Sequence, residues 1–310
     1  MRNTSPRLKA SGLVLLATTL IAIRQVLTKA GLSDVPPLTM MAGQAMVGAL
    51  VLGLRFVVQR HALPRLSRAE WARLISVAVI GFTCSQTLLL IALARIPASE
   101  LGFVLSFTPL ASLFVGVAVL RDWPTRLQLA GMGLALAGAA LFYPDWPDGN
   151  RLGAIAVLVL EMFAIGYGDN VGRSLLLRGR VTPVFLALVS MIVGSLLLAP
   201  LAIALEGVPR IDERGLIAIT FGGLAIFGIA LPFWNCALQD LRAFEAALLA
   251  NLGVFEVAFL AWLVLGERLA PPMLAALAIA LAGVSLVQLK DSGALIAFLR
   301  MRRSQSSTPD

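Results

Sequence analysis

Ten runs of apolar residues, each about as long as a membrane-crossing helix, set the tightest limit on what this chain can fold into. They cover about residues 11–30, 38–58, 70–94, 98–120, 126–143, 152–172, 183–204, 214–239, 243–264 and 271–289. A helix needs about 20 such residues to cross a hydrocarbon layer of about 30 Å. Short connections carry turn residues between the runs, including Val35-Pro36-Pro37, Pro64, Pro124, Pro144-Asp145-Trp146-Pro147 and Pro271-Pro272. Composition agrees, with 59% of the 310 residues apolar and only 14% charged, where soluble domains average about 25% charged. A water-soluble globular enzyme and a disordered chain are both excluded. The expected fold class is an all-α integral membrane protein. Arg2, Arg7 and Lys9 precede the first run as in a signal peptide, but no small-residue cleavage site with a polar mature start follows, so a retained helix is expected.

The formal net charge of +8 could suggest nucleic acid, but apolar blocks separate the basic residues and no basic stripe with interleaved aromatics is present. Orientation in a bilayer explains the charge better. With the N-terminus inside and ten helices alternating, the inside connections hold 18 Lys and Arg, the outside ones six, and Arg24 alone falls within a span. That asymmetry follows the positive-inside rule and predicts two cytoplasmic termini, residues 1–10 and 290–310. Cys84 and Cys236 lie inside apolar runs without metal-type spacing, so they read as small buried hydrophobes.

Sliding the chain against itself gives an ungapped match at an offset of 145: residues 92–143 and 237–288 agree at 14 of 52 positions. Leu and Ala identities are cheap in apolar helices. The aligned pair Glu100 and Glu245, the acidic pair Asp122 and Glu267, and the Ala-Leu-Ala-Gly block ending at Gly138 and Gly283 are less so. Each half, about 11–143 and 152–289, then holds five helices. Five is odd, so the second half enters the membrane from the opposite side. The predicted architecture is ten transmembrane helices as two inverted five-helix repeats, an arrangement that secondary transporters use to alternate access about a midplane site.

The Glu opening the fourth and ninth segments, the acidic residue after each, and the Leu-Ala-Gly endings resemble the drug/metabolite transporter superfamily, and within it the EamA-type bacterial exporters. The likeness spans about residues 11–289. It departs at Arg121-Asp122-Trp123, where an acidic residue opens the usual exit. The resemblance implies a bacterial plasma-membrane protein, a central cavity lined by segments 1, 3, 4, 6, 8 and 9, and efflux of small metabolites or amino acids.

Ionisable groups within spans are costly, about 2.5–3.5 kcal/mol each on insertion scales, and face a cavity or a partner. Arg24, Glu161 and Glu256 stand deepest in apolar sequence; Asp169 lies nearer the end of the sixth segment, 145 residues after Arg24. Either Arg24 pairs with Glu161 or Glu256 to hold helices together, or these groups bind substrate. A carboxyl group left over from such a pair can carry a proton, so Glu161 and Glu256 are candidates for proton coupling. Gln25, Gln86, Asn235 and Asn251 are candidate substrate ligands, because a mid-span amide is not satisfied by its own helical turn. Tyr167 joins them, with Phe82, Phe107 and Trp234 as further stacking surfaces. Glu100 and Glu245 near helix ends, Pro109 and Pro232 within helices, and the Gly166-Tyr167-Gly168 stretch are candidate gates or hinges.

An intramembrane enzyme is the rival from another class. The single histidine, His61, sits in a loop, so a buried Ser-His dyad or a histidine metal site is not available, and no ATP-binding glycine loop occurs. No cofactor or metal is expected. The reading is a secondary transporter exporting small metabolites, foremost amino acids with uncharged or hydrophobic side chains, by alternating access. Its alternative is a proton-coupled exporter of cationic drugs. The partners are a small-molecule substrate, bilayer lipid and, as coupling ion, the proton; a monomer and a homodimer are equally compatible.

Overall fold

A computed structural model describes residues 6–31, 35–60, 63–120, 149–208, 211–266 and 271–288, with isolated positions between 130 and 141. Their regular structure is all helix, without a strand among the described residues. The elements are α1 (Pro6–Gly31), α2 (Pro37–Val58), α3 (Arg68–Leu93), α4 (Ala98–Leu105), α5 (Thr108–Leu120), α6 (Gly149–Leu177), α7 (Pro183–Glu206), α8 (Glu213–Asp240), α9 (Ala243–Ala250), α10 (Leu252–Leu260) and α11 (Pro271–Gln288). Among the described residues seven stretches are long and apolar enough to cross a membrane, the last being Glu213–Asp240. They coincide with predicted segments 1–4 and 6–8. The predicted fifth segment falls largely outside the described residues, as do Asp122, His61, Glu267, residues 1–5 and the C-terminal tail, while residues 6–10 of the expected N-terminal tail already belong to α1.

Burial is inverted relative to a soluble protein. Leu50, Val57, Leu196 and Leu205 point outward at 69–72% exposure, whereas Arg24 and Glu161 are 2% exposed and Gln44 is fully buried. Water would penalise such a surface; hydrocarbon favours it and drives the polar groups inward. This is a multi-pass membrane protein.

Local chemistry sets the helix starts. Ser67 accepts a hydrogen bond from the Glu70 N–H and its own N–H donates to the Glu70 carboxylate, a reciprocal cap. At an offset of 145, Asp212 accepts from the Gly215 N–H. α2 opens on Pro37, which lacks an N–H, and its next two donors, on Leu38 and Thr39, reach the Glu206 carboxylate at 2.9 and 2.7 Å. Glu206 closes α7, so α2 and α7 run antiparallel along each other. α1 packs on α8, α3 on α6, and α5 lies between α6 and α9.

Four departures from regular helix bear on the site. α3 and α8 each switch to π-helix midway, at Val77–Cys84 and Gly222–Ala230, a form rare elsewhere and frequent at functional sites. The predicted fourth segment breaks at Ser106 and Phe107, dividing α4 from α5, and the ninth breaks 145 residues later at Asn251. Asn251 spans the two breaks by donating to the Ser106 carbonyl at 2.8 Å.

The structure places the candidate hinges within the helices. Pro109 does not interrupt a helix; it sits in the first turn of α5, just past the break, where its missing N–H costs nothing. Pro232 opens the α-helical stretch Leu231–Asp240 directly after the π-helical one, so the chain widens rather than breaks there. α6 is continuous through Gly166 and Gly168. These glycines allow close packing: Gly168 meets the backbone of Gly81 on α3, and Gly166 that of Ser112 on α5. Cys84 is exposed and Cys236 half-buried, so neither is the buried hydrophobe expected.

Candidate functional site

A cavity of about 210 Å³ opens inside the bundle, walled by α1, α3, α4, α6, α8, the α9–α10 break and, beyond the expected set, Leu186 and Ser190 of α7. α1 presents Thr18, Ile21, Ala22 and Gln25 to it, a spacing that keeps one helical face inward. The π-helical stretches contribute Phe82 and Phe227, whose rings meet edge to face with centroids 5.0 Å apart.

Arg24 is the most unusual residue of the wall. Its Nε donates to Gln44 Oε1 at 3.1 Å, its Nη1 to Gln86 Oε1 at 2.7 Å, and its guanidinium lies 5.1 Å from the centroid of Phe227. The remaining nitrogen, Nη2, is buried and bonds to no protein group. No carboxylate forms an ion pair with Arg24 among the described residues, so of the two alternatives the bridge to Glu161 or Glu256 is not made. A buried cation held only by neutral groups is costly, and an incoming anion would relieve that cost.

Two acids line the same cavity. Glu161 Oε1 accepts from Ser85 at 3.0 Å, and Asp169 Oδ1 accepts from the Trp234 indole N–H at 2.9 Å. The second oxygen of each is buried without a protein partner, as is Gln25 Oε1. Buried polar atoms are nearly always satisfied. Four residues of one cavity wall thus each keep an unpartnered polar atom, which marks a place where something else can complete them.

The predicted ligands divide. Arg24, Gln25, Gln86, Glu161, Asn235 and Asn251 all line the cavity. The two asparagines spend an amide N–H on backbone, Asn235 at the Pro183 carbonyl and Asn251 at Ser106. Glu256 does not reach the cavity; its carboxylate meets Thr19 at 3.2 Å. Tyr167 is also elsewhere, its hydroxyl 2.9 Å from Ser76 Oγ in the contact between α6 and α3. Glu100 is buried in the first turn of α4. Glu245 lies in α9, with its side chain outside the described residues. Sequence reasoning missed Gln44 and Trp234's bond to Asp169. An amide six residues into the second apolar run was the available signal for Gln44; the offset from Arg24 was the signal for Asp169. No group of three or more His, Cys, Asp or Glu that could hold a metal occurs among the described residues.

The EamA-like transporter family matches residues 8–143 and again residues 152–289, so the chain belongs to that family. Similar curated proteins include two named S-adenosylmethionine/S-adenosylhomocysteine transporter, from Chlamydia trachomatis serovar L2 and from Chlamydia muridarum. They are 26% and 25% identical over 276 residues, covering 84% of this chain and 83% and 86% of theirs. A protein of known crystal structure superposes with a TM-score of 0.69 at 18% identity, over 93% of this chain and 99% of its own, which establishes a shared fold.

Proposed function

We propose that this transporter carries zwitterionic metabolites with an α-amino-acid end and an apolar or aromatic body. Arg24 Nη2 takes the carboxylate, while Glu161 and Asp169 take the ammonium. Phe82, Phe227 and Trp234 face the body. The observation that carries the reading is the coexistence, on one cavity, of an unpaired guanidinium N–H and two unpaired carboxylate oxygens. Hydrophobic amino acids fit this description. So does S-adenosylhomocysteine, one of the compounds in the names of the relatives, whereas S-adenosylmethionine adds a sulfonium cation that would have to lie on the side of Glu161 and Asp169. Cationic drugs fit poorly, because Arg24 would repel them from its side of the wall.

The proposed architecture is ten membrane helices in two inverted five-helix repeats with both termini cytoplasmic, in a bacterial plasma membrane. Features recurring at an offset of 145 support it, as does the antiparallel course of α2 and α7. Export proceeds by alternating access, with Glu161 as the group that couples it to protons.

Uptake into proteoliposomes tests the reading. Radiolabelled leucine, S-adenosylmethionine, S-adenosylhomocysteine and tetraethylammonium are offered with and without a pH gradient. Flux of at least one zwitterion is expected, reduced in its pH response by Glu161→Gln. Flux of tetraethylammonium alone would overturn the reading.

A further inference from the structure

Gln44 touches none of the cavity yet contacts the residue that defines it. It is fully buried on α2, and all its bonds are accounted for. The carbonyl oxygen accepts from Arg24 Nε, and the amide nitrogen donates to Thr28 Oγ1 and to the Ala218 carbonyl, both at 3.2 Å. That orientation is imposed from two sides, because Arg24 Nε can only donate and the Ala218 carbonyl can only accept, while the Thr28 hydroxyl suits either. Gly222 supplies the space: a Cβ there would fall on the Gln44 amide.

We infer that Gln44 is a positioning residue that sets the anion specificity of the cavity. It fixes the guanidinium by Nε without neutralising it, and this leaves Nη2 unpaired for a substrate carboxylate to complete. The isosteric carboxylate would hold Arg24 equally well and remove its need for an anion. A neutral amide here, with Gln86 as the second neutral acceptor and Phe227 beneath, gives Arg24 orientation without a counter-ion. The substrate's own carboxylate is then the counter-ion. This inference rests on the proposed zwitterion reading.

The test compares competitors that differ only in the charge Arg24 would meet: leucine against leucinamide, and S-adenosylhomocysteine against its α-carboxamide, each inhibiting labelled zwitterion uptake in proteoliposomes. Wild type is expected to prefer the carboxylate of one pair at least tenfold. Gln44→Glu should cut that preference at least tenfold by raising KM for the carboxylate, with maximal rate retained. Gln44→Met, similar in length but without an acceptor, guards against a misfolded Gln44→Glu; it should raise KM for the carboxylate alone. Equal losses for carboxylate and carboxamide, or an unchanged preference in both variants, overturn the role of Gln44. A wild type that prefers the carboxylate of neither pair overturns the zwitterion reading itself.

Discussion

Counting 145 residues from the first half of the chain into the second, Ser67 meets Asp212, the π-helical stretch starting at Val77 meets the one starting at Gly222, Phe82 meets Phe227 and Ser106 meets Asn251. Each pair does similar structural work in its own half. The same count sets Arg24 against Asp169, Gln44 against Val189, Gln86 against Leu231 and Glu161 against Leu16. None of those pairs is alike. Caps, widened turns and breaks depend on backbone geometry, which two copies can keep while most side chains drift. The cavity wall need not keep that symmetry, since the proposed substrate, a zwitterion, has no two-fold axis. A symmetric frame therefore holds an asymmetric site, with one half giving the cation and the other both acids.

The strongest challenge to that contrast is to remove one charge from each half. Breaking a buried charged contact costs about 3–5 kcal/mol, and each 1.4 kcal/mol is about tenfold. Arg24→Met should therefore lower zwitterion uptake by about 100-fold or more. Asp169→Asn should lower it by about tenfold, because Glu161 remains as a second acceptor on the same wall. Initial rates in proteoliposomes measure both. Equal losses would mean that the halves contribute interchangeably, and the asymmetry would be incidental.

A second difference concerns how closely helices approach. Gly81 on α3 and Gly168 on α6 meet backbone to backbone; a Cβ on Gly168 would lie 2.6 Å from the Gly81 Cα. The matching positions in α8 and α1 carry Ile226 and Ile23, which preclude so close a contact. Gly168→Val has only backbone to push against and should cost about 3 kcal/mol, at the upper end for overpacking. Ile226→Val should cost about 1 kcal/mol. Thermal unfolding of the detergent-purified protein reads the two. A mild Gly168→Val would show that α3 and α6 can separate as freely as their counterparts.

Much of this was legible in the chain because hydrocarbon imposes long uniform runs, and because a mid-span charge or amide has few places to go. Arg24, Gln86 and Glu161 come together for that reason. Glu256 and Tyr167 went astray because periodicity gives the face of a helix but not the neighbour that face meets. Glu256 finds Thr19, and Tyr167 finds Ser76. The break at Ser106 was hidden behind Pro109, which draws attention although its position in the first turn is harmless. Val77–Cys84 is ordinary apolar sequence, and nothing in it announces a π-helix. Gln44 stayed unseen because it works through Arg24 rather than on the cavity.

The smallest expected effect tests whether the shared frame also moves symmetrically. Lys29, ending α1, donates from Nζ to the Leu93 and Ile96 carbonyls at 2.6 and 2.9 Å, and so fastens α1 to the end of α3. In the other half Arg173, near the end of α6, donates from Nε at 3.0 Å to the carbonyl of Leu241, 145 residues beyond Ile96. Since α2 and α7 are antiparallel, the helix ends that lead into them, those of α1 and α6, lie at opposite ends of the bundle. Each cation thus ties two helix ends together at one end of the bundle. A hydrogen bond from a charged group is worth about 1.5–3 kcal/mol, enough to shift a balance between two access states without abolishing either. Lys29→Met should raise labelling of a Ser190→Cys reporter by an impermeant maleimide from one side of the membrane. Arg173→Met should raise it from the other, each by a few fold, with Cys84 and Cys236 replaced beforehand. Both variants favouring the same side would mean that the halves share their architecture but not their motion, and that alternation is driven from one repeat alone.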